Sequence, residues 1–221
     1  MATSRIKLVM AVVLAFFMVT ISVEAGEELT LHEKAAKLQA TYDSTFSFTA
    51  DFSQITSMKL SRRERHGQGA LLIKKPGLMR WDYQEPDHQV LINDGEMVSM
   101  YFAAAEQMIL MPAKEYLQSD VTYAFFAGTG NVLRDFKISA VAEDYCCGPA
   151  PDLRLAPKQS HPQVDYLYVW LNDKFLISRM QIVDHYGSIT DLTLTNIKLN
   201  LPVDLERFKF VPPVGTEIIR Q

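Results

Sequence analysis

The segment from Phe46 to Ser53 reads Phe-Ser-Phe-Thr-Ala-Asp-Phe-Ser, with an apolar group at every second position. A period of two places successive side chains on opposite faces of an extended chain, so Phe46, Phe48, Ala50 and Phe52 share one face. Runs of this kind return along most of the chain, each closed by turn chemistry. Pro76-Gly77, Glu85-Pro86-Asp87, Asp94-Gly95, Asn172-Asp173-Lys174 and His185-Tyr186-Gly187-Ser188 are the clearest stops. Between them Ala70–Lys74, Met79–Tyr83, His88–Asn93, Met97–Phe102, Met108–Met111, Phe136–Ala142, Asp152–Ala156, Tyr166–Leu171, Leu176–Val183 and Ile189–Leu199 read as strands. Gly67-Gln68-Gly69 reads as a bend, and Phe208-Lys209-Phe210 is a last apolar piece before Pro212-Pro213. Strands in succession with no strand-helix rhythm form an antiparallel meander, and an open sheet of about ten strands must curl on itself.

Two stretches depart from that period. Leu31, Ala35, Leu38 and Tyr42 recur at helical spacing with Thr30 placed as an N-cap, which predicts one amphipathic helix. Lys114 to Arg134 loses the alternation and gathers Tyr123, Phe125 and Phe126 before Gly128-Thr129-Gly130, which predicts one or two short helices and a loop. These pieces are the material available to cover the concave side of a curled sheet.

At the N-terminus Arg5 and Lys7 precede an apolar run from Leu8 to Val23, closed by Val23-Glu24-Ala25. This is the pattern of a secretory signal, with cleavage expected after Ala25. A membrane anchor is the alternative, but the run falls short of a usual span of about twenty residues. No Cys lies at that junction to carry a lipid. Residues 26–221 then form a single domain, one of a size that supports a sizeable core. Removing Arg5, Lys7 and Glu24 from 22 basic and 26 acidic residues leaves 20 and 25, a net charge of −5. That balance argues against a general nucleic-acid or anionic-membrane binder. Cys146 and Cys147 are adjacent, so they do not form a disulfide framework, and they read as two thiols in a loop.

The search for catalytic chemistry finds little. No Gly-x-Ser-x-Gly elbow, paired-His metal motif or phosphate loop is present, and the five histidines are scattered over turns. The sequence implies no enzyme activity, no cofactor and no metal. The apolar stripes carry more. Met79, Trp81 and Tyr83 share one face of a strand, and Met58, Met97, Met100, Met108, Met111 and Met180 add soft, adaptable side chains elsewhere. On composition alone, such rows are core before they are binding surface.

Read in order, these residues resemble the LolA-type periplasmic lipoprotein carriers. Phe48-x-Ala50-x-Phe52-x-Gln54 resembles the family's first strand, and Lys74-Lys75-Pro76-Gly77-Leu78-Met79-Arg80-Trp81 its central signature. Pro86-Asp87, Asp94-Gly95, Tyr101, Glu106-Gln107 and Phe208-x-Phe210-x-Pro212-Pro213-x-Gly215 keep the spacing, and the likeness runs from Leu31 to Ile218. The resemblance implies a mainly β fold with covering helices, an incomplete, half-open antiparallel β-barrel with a helical lid. It also implies a monomeric periplasmic chaperone that shelters acylated lipoproteins between an inner-membrane ABC transporter complex and an outer-membrane lipoprotein acceptor.

On that resemblance, Phe48, Phe52, Ile73, Met79, Trp81, Tyr83, Val90, Ile92, Met100 and Leu110 are expected on the cavity face, with parity inferred from alternation. Phe125 and Phe126 are expected in the helical cover. Lys75 falls where the family often has an Arg that latches barrel to lid, and a Lys offers a point charge in place of a fork. Met79 stands where Phe is common, and Ser99 where Trp is. Rival readings are a half-barrel protein that binds or senses a glycolipid or another lipid, a secreted esterase, and a structural envelope protein with a solid interior.

Overall fold

The computed structural model describes residues 28–119, 126, 130–141, 145 and 148–221. The expected signal segment, Phe125 and the Cys146-Cys147 pair lie outside the described residues. The chain enters through helix α1 (Leu31–Asp43) and runs through β1 (Ser47–Met58), β2 (Arg63–Lys74), β3 (Leu78–Glu85), β4 (Gln89–Asn93), β5 (Met97–Phe102) and β6 (Gln107–Pro112). After the helices α2 (Ala113–Ser119) and α3 (Val132–Asp135) come β7 (Phe136–Ser139), β8 (Leu153–Pro157), β9 (Tyr166–Leu171), β10 (Ile177–Val183), β11 (Ile189–Leu199) and β12 (Glu217–Arg220).

The strands form one sheet in the order β12-β6-β5-β4-β3-β2-β1-β11-β10-β9-β8-β7. All neighbours are antiparallel except β12, which lies parallel to β6. The sheet is therefore two meanders, β1 to β6 and β7 to β11, joined along β1 and β11 and left open between β12 and β7. It is a half-open barrel.

α1 begins where the sequence places it. Thr30 caps the helix through a reciprocal box, its hydroxyl accepting from the Glu33 amide while the Glu33 carboxylate accepts from the Thr30 amide. Ala35, Leu38 and Tyr42 are buried against the inner face of the sheet. Between them sits Gln39, a buried polar residue on an otherwise apolar stripe. Its side-chain carbonyl accepts from the Val132 amide at 2.8 Å, so it ties the start of α3 to α1.

The inner face carries the larger core. Phe48, Phe52, Leu71, Ile73, Met79 and Trp81 from one meander meet Leu153, Leu167, Val169, Met180 and Leu192 from the other. A second core lies on the outer face, where Leu72, Val90, Ile92, Tyr101 and Met108 are covered by Phe208, Val203 and Phe210 of the C-terminal segment. The last apolar piece, Phe208–Phe210, begins at the end of a 3-10 turn, Leu205–Phe208, and lies across that face. The last strand, β12, pairs with the edge of β6.

Gly67-Gln68-Gly69 is also not a bend. It lies inside β2, which starts at Arg63, and the β2–β3 register shifts between Gln68 and Gly69. A Cβ on Gly69 would lie 1.8 Å from the Asp82 carbonyl oxygen, so only glycine allows the two backbones to approach this closely. The fully exposed run Arg63–His66 carries no alternation, which is why this half of β2 escapes the sequence pattern.

Gly69→Ala forces β2 and β3 apart and is expected to cost about 2 kcal/mol. That corresponds to a fall in Tm of roughly 4–8 °C for a domain of this size by calorimetry; an unchanged Tm contradicts the close approach.

Candidate functional site

β1, β2 and β3 fix the orientation of the stripe. In register, Phe48 faces Ile73 and Ile73 faces Met79; Leu71 faces Trp81; Phe52 faces Gly69 and Gly69 faces Tyr83. Partners directly opposite point the same way, so these residues share the inner face. Phe52 supports the aromatic pair above it, with ring centroids 4.8 Å from both Trp81 and Tyr83 in edge-to-face geometry. The Trp81 indole N–H donates to the Met79 thioether sulfur at 2.9 Å, and the Tyr83 hydroxyl donates to Gln54 at 3.3 Å. Both polar handles are thereby held, and the ring faces are left as wall.

The two ends of the inner face differ. At the Phe48 end the space is filled: Phe126 stacks on Phe48 at 5.7 Å and packs edge-on against Tyr42 at 5.8 Å, and the Phe126 side chain is buried. At the other end the trough is hollow, with a cavity of about 520 Å³, inside the size range of ligand sites. Met79, Trp81, Tyr83 and Leu91 form one wall, Ile182 and Leu192 the opposite one, and Tyr116 of α2 stands over it. The mouth is polar, lined by Gln54, Thr56, Thr190 and the turn from Asp184 to Ser188.

Among the described residues, no hydrolytic constellation forms around His185. Its Nε2 lies 2.7 Å from the His161 carbonyl and its Nδ1 faces the Asp165 carboxylate at 3.8 Å. Asp184 accepts from the amides of Tyr186 and Ser188, both at 2.8 Å, and so holds its own turn.

Three residues expected on the cavity face lie on the other side. In β4 the inner residues are Gln89, Leu91 and Asn93, opposite Tyr83, Trp81 and Met79. Val90 and Ile92 therefore point outward into the second core, and Leu110 packs against that core as well. The cause is that Val90-Leu91-Ile92 and Ile109-Leu110 are apolar at consecutive positions, because both faces of these strands are covered. Met100 is on the inner face in register with Leu91 but outside the cavity lining. Ser99 is on the outer face, between Ile92 and Leu110.

Sequence reasoning does not reach Leu91, nor Tyr116, Ile182 and Leu192. The signal for Leu91 lies in the register of β4 on β3, which the loop at Pro86-Asp87 sets and strand periodicity does not.

The adjacent lysines diverge. The Lys74 ammonium donates to the Val203 carbonyl at 3.3 Å on the outer face. The Lys75 ammonium donates to the Tyr42 carbonyl in the last turn of α1, where the helix dipole favours a cation. Half-burial lowers the pKa of Lys75, and the Asp43 carboxylate opposes that shift.

Comparison with known proteins accords with this geometry. The family model described as outer membrane lipoprotein carrier protein LolA matches residues 43–211. A protein of Pseudomonas entomophila called an outer-membrane lipoprotein carrier protein is 27% identical over 212 residues, covering 96% of this chain and 98% of its own. One from Pseudomonas putida with the same name is 26% identical over the full length of both. In fold, the chain is similar to the crystal structure of an uncharacterized conserved protein from Thermus thermophilus. The TM-score is 0.52 at 10% identity, with 86% of this chain and 98% of that one covered. The family model spans the first strand, the basic-Pro-Gly-Leu-Met-Arg-Trp segment and the C-terminal apolar pair alike, and on that match the chain belongs to the LolA family of outer membrane lipoprotein carriers.

Proposed function

We infer that this protein is a periplasmic carrier that holds the acyl chains of lipoproteins in the hollow end of its half-barrel. The observation that carries the reading is the unfilled part of the inner face, walled by Met79, Trp81, Tyr83 and Leu91. Exposing acyl chains to water costs about 0.8 kcal/mol per CH₂, so one long chain costs on the order of 10 kcal/mol. An apolar trough of several hundred Å³ offsets that cost, and its polar mouth leaves the peptide part of a lipoprotein in water. Its family is a family of carriers, and the work assigned to it here is binding and release.

The finer parts of the reading rest on chain chemistry and family. Export by a signal cleaved after Ala25 leaves residues 26–221 as one domain in the periplasm. Cargo arrives from an inner-membrane ABC transporter complex and leaves to an outer-membrane acceptor. Phe48, Phe52 and Ile73 form the closed floor of the site, and Phe126 with α1 forms its lid. Lys75 is the latch, since its ammonium joins the β2 end of the barrel to the carbonyl end of α1. Opening the lid lengthens the cavity toward Phe48.

Two experiments test this. Trp81 lies in the cavity wall and Trp170 on the outer face, so a long-chain fatty acid is expected to change the fluorescence of the wild type and of Trp170→Phe but not of Trp81→Phe. Leu91→Glu puts a charge in the wall and is expected to weaken fatty-acid binding at least about 100-fold. Binding undiminished in that variant, with native circular dichroism, places the ligand elsewhere.

Lys75→Met keeps the aliphatic stem and removes the bond to Tyr42. Amides in the last turn of α1 are expected to exchange about fivefold faster, equivalent to about 1 kcal/mol. Unchanged protection would show that Lys75 does not hold the lid.

A further inference from the structure

We propose that the open end of the trough carries a docking surface for an anionic lipid bilayer, built on the tip of the β1–β2 hairpin. The surface rests on the carrier reading, because it lies at the mouth through which an acyl chain would pass. Met58 at the end of β1 lines the cavity, and the chain then turns through Lys59, Leu60, Ser61 and Arg62 before β2 begins at Arg63. All eight residues from Lys59 to His66 are exposed, and Leu60 at the tip is 81% exposed.

In a chain of net charge −4, this stretch holds Lys59, Arg62, Arg63 and Arg65 against the single carboxylate of Glu64, a net +3. Glu64 is engaged by Ser57 and faces His66. Among the described residues, none of the four cations takes part in an ion pair. Four unpaired cations beside an exposed leucine suit a headgroup layer, where the cations meet phosphates and the leucine enters the acyl boundary.

The neighbouring turn supplies a second anchor. Gly187 lies against Lys59, a Cβ there falling 2.9 Å from the Lys59 side chain, so the β10–β11 turn stands beside the hairpin tip. Tyr186 in that turn lines the cavity mouth and is 70% exposed, and tyrosine favours the membrane–water interface. Leu60 and Tyr186 project from the end at which the cavity opens. Docked by these two residues, the trough faces the bilayer and the acyl chain need not cross bulk water.

The test is flotation of the protein, purified from the periplasmic extract of an expressing host, with lipid vesicles. It is expected to float with vesicles of phosphatidylethanolamine containing phosphatidylglycerol, not with pure phosphatidylcholine, and to detach in high salt. Removing a charge costs about fivefold in affinity, so the double variant Arg62→Gln, Arg63→Gln is expected to bind about 25-fold more weakly, and Leu60→Ser about tenfold more weakly. Each variant should keep the Trp81 response to fatty acid, which shows that it is folded with its cavity intact.

A wild type that fails to float with the anionic vesicles, or variants that float as well as the wild type, overturn the surface while the cavity reading stands. Loss of the Trp81 response in a wild type that floats does the reverse. Hairpin variants that lose cargo uptake from membranes with no vesicle binding in the wild type would assign the hairpin to a protein partner and overturn the proposal.

Discussion

The pairing of β1 with β11 is the contact on which the rest of the molecule depends. Each of these strands ends a meander whose hairpins are local and fold cheaply, whereas their own ladder joins residues as far apart as Phe48 and Leu199. Until it forms, the residues of the inner face have no opposite wall: Trp81 and Leu91 come from the first meander, Ile182 and Leu192 from the second. Closing so long a loop is entropically expensive, and the length of the two strands supplies the compensating row of backbone hydrogen bonds. The irregularity between Thr49 and Asp51 adds local bending where the sheet must curl.

A curled sheet left open between β7 and β12 has two faces to protect. The inner one is filled at one end by α1, Phe126 and α3, while the outer one is covered by the C-terminal segment through Phe208 and Phe210. The two lysines at the end of β2 and just past it show how one short stretch manages both, since Lys74 reaches the outer cover and Lys75 the inner one. Among the described residues, the inner face is filled at the Phe48 end and hollow beneath Tyr116 at the other, which makes a trough with a closed floor and an open, polar mouth. A container for an acyl chain needs both.

The alternation of β1 and β3 is legible because the opposite face of each carries Asp51, Ser53, Arg80 and Asp82, so apolar and polar residues separate cleanly. β4 and β6 are not legible in the same way. Val90, Leu91 and Ile92 are all apolar, since one points to the inner core and two to the outer, and periodicity cannot tell a strand covered on both sides which residue faces which. Leu110 is misplaced for the same reason. The far half of β2 is hidden because Arg63 to His66 lie beyond the body of the barrel with both faces in water. The cavity's second wall, Ile182 and Leu192, is a product of the β1–β11 contact, and no local feature near either residue announces it. Gln39 is invisible too, being a polar residue whose partner is a backbone amide 93 positions away.

The central claim is that one face of this sheet, at its open end, holds the cargo's acyl chains. It is tested most directly by replacing Tyr83 and, separately, Tyr168 with a photoreactive phenylalanine analogue and irradiating the protein while it carries lipoprotein. The two tyrosines are alike in size and both half-buried, but Tyr83 lines the cavity and Tyr168 lies on the outer face opposite Gln181. The account predicts an adduct on the lipid part of the cargo from position 83 and none from position 168. Lipid adducts from position 168, or from neither position in a protein that still carries cargo, would contradict it.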